Sequence, residues 1–163
     1  MISTAIKSDL ASESVASGAL DSMIRLNDQA STIALEAGAT GCTDVTGFGL
    51  LGHLARMAAE SAVDVRLDVD EIAVLNGAVE LIDAGVMAGG SRRNLEWVRR
   101  KVQDNGHDEE TLLLLADAQT SGGLVFGVEA DRVDETLSAL TDVGHDASAI
   151  GVATSGDGQI ILV

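Results

Sequence analysis

Two glycine-rich segments, each carrying a carboxylate, constrain the fold of this chain more than any other feature. The first is TDVTGFGLLGH at residues 43–53, and the second is ADAQTSGGL at residues 116–124. Glycine permits left-handed turns and lets backbone amides approach a ligand closely. In the first segment, Asp44 follows a short apolar stretch, and an amphipathic pattern begins after Gly49. The pattern predicts a strand, a tight turn and a helix, with Asp44 at the strand end.

A carboxylate in that position suits a hydrated Mg²⁺ that bridges to phosphate, because the N–H groups of the helix open behind it. From spacing alone, a turn or capping carboxylate is the commoner explanation of such an aspartate. Thr46 could cap the following helix, and Gly47 and Gly49 could be needed for positive φ. The second segment has no lysine and is not a Walker A motif, so it can also be read as a simple turn.

Composition limits the possible functions. The 163 residues include 26 acidic and 10 basic ones, which gives a formal net charge of −16. This balance argues against nonspecific nucleic-acid binding, which needs cationic surface to neutralise phosphates. No apolar run approaches the roughly 20 residues of a membrane-spanning helix, and no secretory signal is visible. A single cysteine excludes an internal disulfide and is compatible with a reducing cytoplasm. Taken together, these features lead us to expect a soluble cytoplasmic protein without nucleic-acid or membrane partners.

Hydrophobic periodicity predicts a mixture of helices and strands in one domain over residues 1–163. Strands are predicted at 2–6, 40–45, 63–69 and 124–128, with a closing hairpin that pairs residues around Val152 with 159–163. Helices are predicted at 12–36 with Ser12 as N-cap, and at 50–61, 71–75, 77–84, 95–102, 109–116 and 131–143. Gly38 and Gly144 are the expected helix stops. The hairpin argues against an all-parallel sheet and favours a layered α+β fold.

Three motifs in this order make the sequence recognisable: TDVTGFGLLGH, GGSRRN at residues 89–94, and DAQTSGGL at residues 117–124. Together they resemble the C-terminal half of the selenophosphate synthetase (selenide, water dikinase) family, and the match runs along essentially the whole chain. The resemblance implies the C-terminal fold of AIR synthase-related proteins, a sheet with helices on its faces and a partly ferredoxin-like topology. It also implies an enzyme that converts ATP, selenide and water into selenophosphate, AMP and orthophosphate.

The resemblance implies specific roles in a Mg²⁺- and ATP-dependent site. Asp44 corresponds to an aspartate that joins two aspartates of the N-terminal half in holding Mg²⁺ against the ATP phosphates. The residues implied to shape the nucleotide site are Thr43, Thr46, Gly47, Thr120, Ser121 and Gly122. The sequence departs from the family pattern at Ala118, where proline is usual, and at Ser91, where threonine is usual.

The family's N-terminal half carries the reactive cysteine or selenocysteine, its partner lysine and most ATP contacts, and this sequence lacks it. The resemblance therefore implies that half as a partner, within a homodimer, and we expect the chain alone to be inactive. The sequence looks like a domain cut from a longer protein. The alternatives are a domain acting in trans with a separate N-terminal half, a noncatalytic binding or regulatory module, and a superfamily member with another acceptor.

Other residues near the motifs have plainer explanations. Phe48 is expected to be buried against the sheet, and Cys42 to be a small buried hydrophobe in a strand. His53, one turn into the helix, is expected to be a satisfied, partly buried residue. His107 and His145 lie in polar loops without metal-ligand spacing.

The GGSRRN motif brings basic residues into an acidic chain, directly after flexible glycines. Arg92 and Arg93 could clamp a phosphate or carboxylate, or could form ordinary ion pairs with the acidic surface. Asn94, at a predicted helix start, is expected to be a cap.

Overall fold

The computed structural model describes residues 1–163, which form eight α-helices and six β-strands. The helices are α1 (Ile2–Lys7), α2 (Glu13–Ile24), α3 (Asp28–Glu36), α4 (Gly49–Glu60), α5 (Ala78–Asp83), α6 (Gly89–Val98), α7 (Glu109–Leu115) and α8 (Val133–Asp142). The strands are β1 (Cys42–Asp44), β2 (Val63–Leu67), β3 (Val102–Gln103), β4 (Leu124–Phe126), β5 (Gly151–Ser155) and β6 (Ile160–Leu162). Strands β3, β6, β2 and β5 form one sheet in that order, and β1 pairs with β4 in a second. The predicted α+β class is confirmed.

Helix α4 supplies the centre of the core, because its apolar residues recur on one face. Leu51, Leu54 and Ala55 are at most 3% exposed. They belong to one buried cluster with Leu67 of β2 and Ile160 of β6. In β2, buried and exposed residues alternate towards its end, which confirms the half-buried strand predicted there. The first motif is thus attached to the centre of the buried core.

The predicted closing hairpin is wrong, because β2 lies between β5 and β6. Strand β5 pairs antiparallel with β2, whereas β6 pairs parallel with it. The connecting residues 156–159 cross the start of β2, where Oδ1 of Asp64 accepts hydrogen bonds from N–H of Asp157 and Gln159 at 2.9 and 2.8 Å. A side chain about 90 positions away therefore directs this connection.

The predicted strand at 2–6 is also wrong, since this segment is helix α1. Ile2 packs in a small buried cluster with Ala19 of α2 and Ala78 of α5, and Ala5, one turn later, is fully buried. Burial at this three-residue spacing stabilises a helix, and a short apolar run alone does not distinguish it from a strand.

The long helix predicted at 12–36 is divided into α2 and α3. Oγ of Ser12 caps α2 by accepting a hydrogen bond from N–H of Val15, as predicted. Arg25 adopts an extended conformation that ends α2, and Asn27 precedes α3. The positive φ of Gly38 and Gly144 after α3 and α8 confirms both predicted helix stops.

Two further segments differ from prediction. Residues 71–75 form an irregular segment that follows a turn at Glu71, instead of a helix. The GGSRRN motif, expected to be a glycine-rich loop leading to a helix, is the first part of α6 itself. The buried residues of α6 recur at helical spacing: Ser91, Asn94, Leu95 and Val98. That buried face stabilises the helix despite its two leading glycines. None of the helices is long and apolar enough to cross a membrane.

Candidate functional site

The two glycine-rich segments lie side by side. Strand β1 of the first pairs antiparallel with β4, which follows the second, and Asp44 faces Leu124 in the register. Beyond the strands, N–H of Gly122 donates to the carbonyl of Val45 at 3.1 Å, and N–H of Gln119 donates to the carbonyl of Thr46 at 3.0 Å. The predicted site residues of the two segments therefore share one backbone framework.

Asp44 ends β1 and is exposed to solvent. The chain contains no group of three or more His, Cys, Asp or Glu side chains arranged to hold a metal ion. Mg²⁺ prefers oxygen ligands and keeps several waters, binding through one or two carboxylates together with substrate phosphates. Asp44 fits that chemistry as a single accessible carboxylate. The remaining ligands would come from water, phosphate or another polypeptide.

The glycines of the motifs differ in what they contribute. Gly49 has a φ of +69°, and a Cβ there would lie 2.5 Å from the carbonyl carbon of Ala116, so both conformation and space require glycine. Gly122 lies so close to the Val45 carbonyl that a Cβ would overlap its oxygen. Gly47 has no positive φ and open space around it, so the suggested conformational need for glycine is wrong at this position.

His53 links the two threonines of the first motif. Its Nε2 lies 3.0 Å from Oγ1 of Thr46, and its Nδ1 lies 3.5 Å from Oγ1 of Thr43, which also donates to the carbonyl of Asp44. The half-buried imidazole is therefore satisfied, as expected. Helix α4 has no side-chain N-cap hydrogen bond, so the suggested capping by Thr46 is wrong. Since His53 holds Thr46 three residues before Gly49, it positions the turn that carries the motif.

Helix α6 fastens the two motifs together. Nδ2 of Asn94, which is 9% exposed, donates to the carbonyl of Gly47 at 2.8 Å and to that of Ala116 at 3.1 Å. Oγ of Ser91 donates to Oδ1 of Asp117 at 2.6 Å. The expected capping role of Asn94 is therefore wrong, because it lies within α6 and crosslinks two distant segments. Helical spacing places Ser91 and Asn94 on one face, a signal that becomes visible only once α6 is known.

The second motif presents its hydroxyls to solvent. Thr120 and Ser121 are exposed, and both border a cleft of about 150 Å³ together with Gly122. Ser121 has a φ of +53°, which is uncommon for a residue other than glycine and strains the backbone. Nδ2 of Asn27, at the break between α2 and α3, donates to the carbonyl of Gly122 at 3.0 Å. The sequence does not predict this contact, because it depends on where the predicted long helix breaks.

Two expectations about neighbouring residues are wrong, and one pair of alternatives is narrowed. Cys42, expected to be buried, is solvent-accessible in β1. Partial burial of its thiol raises its pKa, and the negative charge of Asp44 raises this pKa further. Phe48, expected to be buried, is 61% exposed. Arg92 pairs with Glu109 at 3.5 Å, with both side chains largely exposed, whereas Arg93 forms no salt bridge. Ion pairing therefore accounts for only one of the two arginines.

Comparison with known families agrees with this architecture. Residues 5–163 match the family described as AIR synthase related protein, C-terminal domain. The solved structure of hydrogenase maturation protein HypE superposes with a TM-score of 0.53 and 20% identity, covering 84% of this chain and 38% of that one. At this identity, the likeness supports the fold alone.

Curated relatives named selenide, water dikinase match along the chain. The protein of Caldanaerobacter subterraneus subsp. tengcongensis is 40% identical over 140 residues, which cover 86% of this chain and 41% of the relative. That of Carboxydothermus hydrogenoformans is 34% identical over 163 residues, covering 99% and 47%. That of Myxococcus xanthus is 38% identical over 163 residues, covering 98% and 46%. The chain thus spans less than half the length of these relatives, and the resemblance seen in the sequence is confirmed.

Proposed function

The chain belongs to the AIR synthase related C-terminal domain family, and from that premise we propose that it is the C-terminal part of a selenide, water dikinase. The whole enzyme would use ATP, selenide and water to form selenophosphate, AMP and orthophosphate, in the cytoplasm and as a homodimer. The relatives' name and their greater length support this proposal. The observation that carries it is the accessible carboxylate of Asp44, at the end of a strand whose neighbouring turn is bonded to the second glycine-rich loop.

Each predicted residue would have a physical role. Asp44 would contribute one carboxylate to Mg²⁺, which when bound neutralises phosphate charge during phosphoryl transfer. Thr120 and Ser121 present exposed hydroxyls that can donate hydrogen bonds to phosphate oxygens. Gly47 is exposed and has free space beside it, so its backbone can approach the nucleotide closely.

The other residues would hold these groups in place. Thr46 and His53 fix the first turn, and Asn94 ties that turn to Ala116, the first residue of the second glycine-rich segment. Thr43 bonds the Asp44 carbonyl and so restrains the backbone of the metal ligand. A fixed framework limits the reorganisation needed when phosphate charge develops. The part of the enzyme that this chain does not match would supply the remaining metal ligands and the selenium chemistry.

The test is reconstitution. This chain is mixed with the unmatched part of the Caldanaerobacter relative, and AMP release from ATP is measured with Mg²⁺, with and without selenide. We expect selenide-dependent AMP only in the mixture, and a loss of about a hundredfold or more with Asp44→Asn. Asp83→Asn, an exposed carboxylate at the end of α5, is the matched control and should remain active. Equal activity of both variants would refute the role of Asp44.

A further inference from the structure

Two of the three aromatic residues of this chain lie together on its surface. Phe48 is 61% exposed and Trp97, on α6, is 64% exposed. Their ring centroids are 6.2 Å apart and the ring planes are inclined by 33°. We call these two residues the aromatic pair. Large aromatic side chains bury most area when covered, so a packed but exposed pair is unusual in a chain with only three aromatics.

The aromatic pair is held in place before any partner binds. The ring of His53 meets Phe48 edge-on, with centroids 5.7 Å apart, and His53 is itself bonded to Thr46. A Cβ at Gly52 would lie only 2.8 Å from Cβ of Phe48, so glycine at this position lets the ring lie against α4. A surface that is already ordered loses little side-chain entropy on association.

We propose that the aromatic pair is the anchor through which this chain docks onto the part of the enzyme that it does not match. This inference rests on the proposed function, since the partner is the unmatched part of a selenide, water dikinase. Phe48 lies in the same turn as Gly47 and Gly49, four residues from Asp44. Relatives are more than twice as long as the stretch they share with this chain. Docking at the aromatic pair would bring the remaining metal ligands, proposed above to come from that part, up to Asp44.

Chemistry favours a protein surface as the occupant. Trp, together with Tyr and Arg, is enriched at the energetically dominant centres of protein interfaces. Arg93, one helical turn before Trp97, forms no salt bridge and can pair with an acidic group at the interface edge. A nucleotide base stacked on the rings is a different occupant, and addition of ATP alone distinguishes it in the titration below. A second copy of this chain is disfavoured, because each copy carries a net charge of −16.

Trp97 is the only tryptophan, so incorporation of 5-fluorotryptophan gives a single ¹⁹F resonance that reports on the aromatic pair. The labelled chain is titrated with the unlabelled unmatched part of the Caldanaerobacter relative, and Kd is measured by calorimetry. We expect the resonance to shift on saturation. Phe48→Ala and Trp97→Ala should each weaken binding at least about tenfold. Gly52→Ala, which displaces Phe48 but keeps both rings, should also weaken it, whereas Leu35→Ala, 73% exposed on α3, should not.

The outcomes separate this inference from the proposed function. Binding with an unshifted resonance, or unchanged Kd for both alanine variants, overturns the docking surface even if the mixture releases AMP. A shift produced by ATP alone, or a resonance that shifts when the chain is diluted without partner, also overturns it. So does the absence of binding at a 100-fold excess of partner. Binding that depends on the aromatic pair in a mixture that releases no selenide-dependent AMP supports the docking surface and contradicts the proposed function.

Discussion

Replacement of Asn94 by alanine is expected to loosen both glycine-rich segments at once. Its Nδ2 donates to the carbonyls of Gly47 and Ala116, and each such bond contributes roughly 0.5–1.5 kcal/mol net. The exposed Gly47 carbonyl can bind water after the change, but Ala116 is fully buried and its carbonyl loses a partner. We therefore expect the free energy of unfolding to fall by about 2–3 kcal/mol, because an unpaired buried acceptor adds to the lost bonds.

For a domain of this length, that loss corresponds to a melting temperature lower by roughly 5–10 °C. Urea unfolding measures it globally, and amide hydrogen exchange measures it locally at Gln119 and Gly122, whose N–H groups bond to the first motif. Asn76→Ala, at an exposed turn position, is the matched control and should change stability by less than about 0.5 kcal/mol. Equal stability of the two variants, or unchanged exchange at both amides, would refute the crosslinking role of Asn94.

Three other predictions address single residues. Gly49→Ala should destabilise the fold by about 2–4 kcal/mol, because alanine would be strained at the left-handed φ and its Cβ would overlap the 116–117 backbone. Gly47→Ala, the control, should destabilise it by less than about 1 kcal/mol, and equal losses in thermal melts would contradict this. Cys42 should react slowly with iodoacetamide at pH 8, and Asp44→Asn should speed the reaction about two- to fivefold by removing a negative charge, so identical rates would rule out their coupling. The side chain of Thr111 and its backbone N–H, which donates to Oδ1 of Asp108 at 2.9 Å, lower the pKa of Asp108 below its ordinary value. Its capping contribution is therefore complete above that ordinary value and is lost as pH falls through the lowered one. The difference in urea midpoint between wild type and Asp108→Ala should therefore shrink below pH 3.8, and a constant difference down to pH 2 would contradict the assignment.

Local sequence signals predicted the elements that local interactions determine. Helix α4 and strand β2 follow their apolar periodicity, and Ser12 and Gly38 mark helix ends because capping and positive φ are local requirements. The failures depend on distant partners. The closing strands do not form a hairpin because β2 inserts between them, and residues 2–6 form a helix because Ile2 is buried against α2 and α5.

The candidate site shows the same division. The two glycine-rich segments are recognisable from residue type and spacing, and the structure joins them through backbone hydrogen bonds. The metal role of Asp44 is implied by the family resemblance and stays a prediction. The contacts of Asn94 and Asn27 were missed, because each joins residues at least 20 positions apart. Phe48 was expected in the core because it is apolar, and only the fold reveals that it is exposed beside Trp97.

A chimaeric enzyme tests the central claim most directly. In the Caldanaerobacter relative, the stretch that matches this chain is replaced by this chain, and selenide-dependent AMP release is measured with ATP and Mg²⁺. We expect the chimaera to be active and to lose about a hundredfold or more of that activity on Asp44→Asn. A folded chimaera without activity, or one that keeps full activity after Asp44→Asn, would contradict the assignment of this chain as the metal-binding C-terminal part of a selenide, water dikinase.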